Sequence, residues 1–400
     1  MTCEASSAAF HARSEQDPLT PAQNMTNPIL IFPHETKFRV TRSMPHQFGK
    51  DEIHVLGMAY GSEGYMKQFS RTLVLGIVLL FGVWPFSWRN AMSQSDLSSW
   101  SLRAPLPVTN SETGVAELDG KIYVIGGYPS DRKTVATVQV YESRTDKWQI
   151  ATPLPQPLNH VMPAAINGKI YVIGGQTSES SEPDKAGFVN SVYEYDPGQD
   201  KWTTRAAMPS ARSGGAAAVV NGKIYVAGGR PPGGHDFAVY DPKTDTWERL
   251  ANLPTQRNHL AAGAHDDRVY VVGGRFGGGF QSERTDAVEV YDPKTRQWSK
   301  RAPMLKPRGG VNGIFAYGCF HLFGGEGNPD HPYHVFADHD YYNPVTNTWH
   351  RLDPMPIAVH GVTGLAFING YIHLPGGGTA QGGSSGSTIH QVYQPKMACK

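Results

Sequence analysis

The chain has little of most things that would announce a simple chemistry. Three cysteines in 400 residues, Cys3, Cys319 and Cys399, are too few and too scattered for a disulfide framework or a zinc pattern. They are read as unpaired, with a Cys319–Cys399 bridge in a mature chain as the lesser alternative. Neither sign of charge is in excess, with 36 Lys and Arg against 35 Asp and Glu. No basic block or stripe is present, which argues against a nucleic-acid partner. No HExxH and no paired CxxC occurs, so ordinary zinc chemistry has no support. No cofactor is expected. Apolar runs stay short of the roughly twenty residues that a membrane-spanning helix needs.

What is abundant is glycine, 44 residues, and proline, 30, alongside 10% aromatics. Many turns with many large aromatics point to short strands rather than to disorder.

Residues 1–65 show no sustained helical or strand periodicity. They read as a disordered or mis-assigned N-terminal extension. Met66 opens a different pattern over 66–93. Lys67 and Arg71 form a positive start, and Leu73 to Phe86 is a fourteen-residue uncharged, mostly apolar run. Ala91-Met92-Ser93 then supplies small residues. That is the build of a signal peptide, whose apolar core spans about 7–15 residues. The expectation is translation from Met66 and an extracytoplasmic (periplasmic or secreted) product. The alternative is an uncleaved anchor over 72–88, the one case in which the membrane would be a partner.

From 94 to 400 the chain is periodic. The stretch Gly120 to Gly127, GKIYVIGG, returns as GKIYVIGG at 168–175 and GKIYVAGG at 222–229. DRVYVVGG at 267–274, GCFHLFGG at 318–325 and GYIHLPGG at 370–377 complete six copies. Tryptophans at 100, 148, 202, 247, 298 and 349 keep step with them. A tyrosine precedes each Trp from 148 onward by seven residues, as in Tyr240 and Trp247. Each unit holds an apolar strand a and a turn, Asn-Gly or Asp-Gly in four of the six, that suits a two-residue hairpin. Strand b ends in the glycine pair. A variable loop leads to strand c, which ends at the Tyr, and strand d starts at the Trp. The glycine pairs, tyrosines and tryptophans are therefore read as scaffold.

Double glycine, Tyr and Trp at these spacings resemble the Kelch repeat, over residues 100 to 395. The resemblance implies an all-β, six-bladed Kelch-type β-propeller with four-stranded blades. The sixth unit stops before its own strand d, and Trp100 is a strand d without a strand c. The N-terminal strand is thus expected to close the last blade.

In such a ring, the loops joining d to a and b to c share one face, which is where function is sought. Counting eleven residues back from the Lys121 position gives Asn110, Leu158, Arg212, Arg257, Arg308 and His360. Arg230 and Arg275 directly follow their glycine pairs, and His160 and His259 lie two residues beyond the counted position. Convergent guanidinium groups suit a carboxylate or other anion. The competing reading is that the counted arginines bond carbonyls at blade junctions. The sixth b–c loop, Gly378 to His390, is Gly/Ser-rich and expected to be mobile. The fifth carries His331, His334 and His339, weak candidates for a metal. Tyr333-His334 resembles a pair at the copper site of galactose oxidase, but that enzyme's cysteine-crosslinked tyrosine has no counterpart here.

The reading is a monomeric recognition module for a glycan, an anionic small molecule or a protein. The alternative is a sugar-active enzyme resembling secreted sialic acid epimerases, and a copper oxidase stands further behind. An intracellular ubiquitin-ligase adaptor, as in many Kelch proteins, would need a partner domain that 1–65 is too short and patternless to supply.

Overall fold

A computed structural model describes residues 99–178, 180 and 183–400. The expectations for 1–65 and 66–93 lie outside these residues. Six sheets follow one another, antiparallel apart from one short parallel strand added to the first. The six-bladed propeller is thus present with four-stranded blades. The first blade runs Thr113–Leu118, Lys121–Ile125, Val138–Glu142 and Lys147–Ala151. The second to fifth blades start at Met162–Ile166, Ala216–Val220, Ala261–His265 and Asn312–Ala316. The sixth takes Ala366–Ile368, Tyr371–Pro375 and His390–Tyr393 from the C-terminal part of the chain, and Trp100–Leu102 as its outer strand.

The sequence pattern accounts for the layers. Strand b is covered on both faces by neighbouring blades, so KIYVI can be apolar throughout; Ile122, Val124 and Ile125 are fully buried. Each such side chain contributes about 1.5–3 kcal/mol of transfer free energy. Strand d is the outer edge, and Lys147–Ala151 is largely exposed. The Asp119-Gly120 turn adopts φ of 51° and 76°, as its hairpin requires.

The glycine pairs mark where the next blade's d–a loop crosses. A Cβ at Gly126 would lie 2.2 Å from the Leu158 carbonyl oxygen, and one at Gly324 would lie 2.1 Å from that of Val359. Each Trp indole then donates to a carbonyl of the preceding blade, as Trp148 does to Ala104 at 2.8 Å and Trp247 to Ala206 at 2.8 Å. Tyr141 donates to Asp146 at 2.7 Å, which holds the c–d turn.

Strand a of the sixth blade is broken. Val362–Thr363 leaves its own sheet to pair in parallel with Thr113–Leu118 of the first blade. The break falls at Gly364, with φ of 84°, where a Cβ would sit 2.4 Å from the Val115 carbonyl oxygen. This break shifts the register of the sixth d–a loop. Val359, not His360, is the equivalent of Arg308, as the Gly325 amide bonded to the Val359 carbonyl at 3.1 Å shows.

The cysteines correct a second expectation. Cys319 and Cys399 are bonded, 80 residues apart in sequence, and fasten the C-terminal segment to the fifth blade. The Cys399 amide also donates to Tyr317 O at 3.0 Å.

Candidate functional site

The three counted arginines are turned into the interior. Arg212, Arg257 and Arg308 are among the largest fully buried side chains. Arg212 donates to the carbonyls of Gly228 at 3.2 Å and Asp236 at 2.8 Å. Arg257 pairs with Glu289 at 2.5 Å and Arg308 with Asp340 at 2.5 Å. Burial pushes the Arg212 guanidinium down to about 10, with Asp236 opposing the shift. These side chains brace blade junctions, which is the competing reading above.

The convergence lies two residues further on, at the mouth of the ring. Here the chain needs a left-handed residue in every blade. The six are Glu112, His160, Gly214, His259, Gly310 and Gly361, with φ between 50° and 71°. Their backbones join around the axis: His160 N to Glu112 O, Gly214 N to His160 O, His259 N to Gly214 O, and on through Gly310 and Gly361. Glycine is at ease in this conformation, whereas glutamate and histidine are strained there. The three glycines also make room. A Cβ at Gly361 would lie 2.9 Å from the Glu112 carboxyl, and one at Gly214 would lie 3.1 Å from the His259 ring.

The side chains meet inside this girdle. His160 Nε2 is 3.1 Å from Glu112 Oε2, and His259 Nε2 is 3.9 Å from the same oxygen. His360 Nε2 lies 3.4 Å from Glu112 Oε1 and 3.6 Å from Glu326 Oε2. Arg230 and Arg275, which follow their glycine pairs, aim at the histidines. Their guanidinium groups approach His160 Nε2 at 3.2 Å and His259 Nε2 at 2.8 Å, and Arg275 also pairs with Glu326.

The protonation pattern follows from burial and neighbours. Burial would raise the Glu112 carboxyl, but the histidines around it, His160 foremost, hold it well below the usual range. Burial pushes His160 down to about 4, with Arg230 and Arg275 adding to it against Glu112. His259 is driven well down by burial and then by Arg275.

The tautomers are fixed by what lies behind. Asn159 donates its amide to Thr134 Oγ1 at 2.7 Å, so its oxygen is left to accept from His160 Nδ1 at 2.5 Å. Asn258 donates to Gly277 O at 2.7 Å and accepts from His259 Nδ1 at 2.6 Å. His360 Nδ1 donates to Gly378 O at 3.0 Å. The Nε2 lone pairs of His160 and His259 therefore point into the girdle, where Arg230 and Arg275 donate to them.

Outside it lies a cavity of about 70 Å³ lined by Glu112, Tyr128, Arg132, Arg230, Arg275 and Glu326, among others. The sixth b–c loop, expected to be mobile, is anchored across this mouth. Gln381 donates to Phe280 O at 2.8 Å and to Tyr333 O at 2.8 Å, and Gly382 N donates to Glu326 at 3.2 Å.

Of the sequence candidates, the structure brings together His160, His259, His360, Arg230 and Arg275. It does not bring together His331, His334 and His339. His331 and His334 stay in the fifth b–c loop, whereas His339 opens strand c and pairs with His321 at 3.0 Å. Sequence reading missed Glu112, Glu326 and Tyr128. Glu326 and Tyr128 follow glycine pairs as Arg230 does, and Glu112 stands two beyond Asn110 as His160 stands two beyond Leu158.

Comparison with known proteins agrees with this architecture. The model of the KLHDC2/KLHL20/DRC7 Kelch-repeats domain matches residues 86–274 and 209–377. A Kelch-like protein, terF, from Aspergillus terreus is 33% identical over 333 residues, covering 81% of this chain and 62% of that protein. Beta-scruin of Limulus polyphemus is 29% identical over 134 residues, covering 34% of this chain and 15% of its own. The chain thus spans less than two thirds of these relatives. Among solved structures, one titled "Structure of YjhT" superposes with a TM-score of 0.59 at 19% identity. It covers 74% of this chain and 97% of its own, a likeness of fold.

Proposed function

The chain belongs to the Kelch-repeat family, and from that premise we propose that it is a recognition module that takes an anionic group at the mouth of its ring. The partner class is a carboxylate-bearing glycan, a small molecule or an acidic protein segment. One observation carries the reading: Arg132, Arg230 and Arg275 line a single cavity together with Tyr128. The buried guanidinium groups of Arg230 and Arg275, with exposed Arg132 at the rim, favour a charge-assisted, two-point grip on a carboxylate. The module is exported in this reading. The Cys319–Cys399 bond supports it, because such bonds persist in oxidising compartments. The leader-like stretch over 66–93 supports it as well.

A second reading rests on the same mouth. Glu112 and His160 touch beside the arginines. An enzyme resembling the sialic acid epimerases would use such a pair to move a proton on a carboxylate sugar held there.

The test is NMR titration of the protein with sialic acid anomers, other acidic sugars and acidic peptides, following binding and anomeric exchange together. Saturable binding without exchange, weakened in Arg132→Ala, supports the module. Exchange faster than buffer supports the enzyme. Absence of binding to every carboxylate ligand overturns both.

A further inference from the structure

We propose that Glu112, His160 and His259 form a binding site for one divalent transition-metal ion of the zinc type. The site borders the anion-recognition cavity, whose wall includes Glu112 and His160, and is tested independently of it.

Geometry comes first. The donor atoms of these three residues lie within 4.8 Å of one another. Neighbouring ligand atoms around a tetrahedral ion with bonds of about 2.1 Å stand about 3.4 Å apart. His160 and His259 lie 3.1 and 3.9 Å from Glu112 Oε2, which brackets that separation. His360 Nε2 lies 3.4 Å from the other Glu112 oxygen and 3.6 Å from Glu326, beside the group of three rather than within it.

The outer contacts fit the same purpose. A metal-binding imidazole needs its far nitrogen fixed by an acceptor, so that the near lone pair is presented in one direction. Asn159 and Asn258 do this for His160 and His259, and each amide is itself oriented by its own donor contacts. Two imidazole nitrogens and a carboxylate oxygen suit zinc and its first-row neighbours better than calcium or magnesium, which take oxygen.

The backbone gives an independent reason. Of the six equivalent left-handed positions, three are glycine, and the other three are these ligands. Non-glycine residues there are strained, by about 1–2 kcal/mol each in general terms. Strain of this kind is concentrated at functional sites. In the structure Arg230 and Arg275 bond the two imidazole lone pairs. An ion would take their place and turn both guanidinium groups toward the cavity.

The experiment uses tag-free full-length protein. Zn²⁺ uptake is followed by calorimetric titration and by elemental analysis after desalting, with Co²⁺ absorption as a second probe. The expected result is one ion per chain, with Glu112→Gln and His259→Ala losing it. Asn258→Ala should weaken binding about 10-fold by releasing the imidazole behind the ligand. Wild-type protein that retains no zinc overturns the proposal. So does a folded Glu112→Gln protein, close to Glu112 in shape, that binds zinc as tightly as wild type. Zinc binding is read without any anionic ligand and anion binding is read on protein stripped of metal and desalted free of chelator, so the two readings fail separately.

Discussion

Trp100 stands directly opposite Tyr393 across the closing pair of strands, with their rings 5.1 Å apart. The same indole packs edge-on against Phe323 at 5.7 Å and His339 at 5.6 Å, both in the fifth blade. The first described strand thus completes the sixth blade and also buttresses the fifth. Removing residues 94–107 would leave His390–Tyr393 with an exposed edge, and the expected outcome is aggregation or a much lower melting temperature. Trp100→Ala is the milder version, with an expected loss of about 3–5 kcal/mol for a buried Trp. Calorimetry showing an unchanged melting temperature in both would refute the closure.

The Cys319–Cys399 bond spans 80 residues and restrains the unfolded chain. Loop-closure reasoning puts the stabilisation at about 4.5 kcal/mol for a loop of this length, less any part returned by denatured-state structure. Cys399→Ser should therefore unfold at lower guanidinium concentration, and reductant should shift the wild type to the same midpoint. Reductant that leaves the wild-type midpoint in place would show that the bond carries no stability.

Two buried histidine pairs occupy matching places in the last two blades, His321 with His339 and His373 with His390, each at 3.0 Å. Burial lowers His321 and His373 to about 4 and His390 to about 3, the last helped by His373. A histidine whose folded value lies below its unfolded value of 6.5 favours the folded state fully only above that pH. Stability is then lost as pH falls from about 6.5 through about 4, at up to about 1.4 kcal/mol per pH unit for each histidine. His321→Tyr with His339→Val restores the residues of the first blade, Tyr123 and Val138, and should flatten this acid slope. Melting temperatures from pH 7 to pH 4 that stay parallel in wild type and variant would count against it.

How much of this was legible follows from where each constraint acts. The six GKIYVIGG copies carry the scaffold because Gly126 and Gly324 answer a close carbonyl that only glycine admits. Ring closure was legible from Trp100 and the missing sixth strand d. Glu112 was not, because the girdle position holds Glu, His or Gly according to the blade, so no residue type repeats. His360 was misplaced because the break at Gly364 adds a residue that a fixed count cannot see. Arg212 bonds backbone carbonyls, which leave no trace in a side-chain pattern. The disulfide depends on where the segment after the sixth blade lies, which no local spacing encodes.

Arg257 and Arg132 should separate scaffold from recognition. Arg257 is buried against Glu289 at 2.5 Å. Arg257→Ala leaves an unpaired carboxylate in the interior, at a cost of about 3–5 kcal/mol. Arg132 is exposed at the rim of the mouth cavity. Arg132→Ala should leave stability within about 0.5 kcal/mol of wild type, as surface changes do. Its effect should instead fall on carboxylate affinity, with a loss of about tenfold corresponding to one charge-assisted contact. Paired denaturation and calorimetric titrations check both halves. If Arg132→Ala destabilises the fold while Arg257→Ala impairs only binding, the counted arginines regain the ligand-facing role and the mouth cavity loses it.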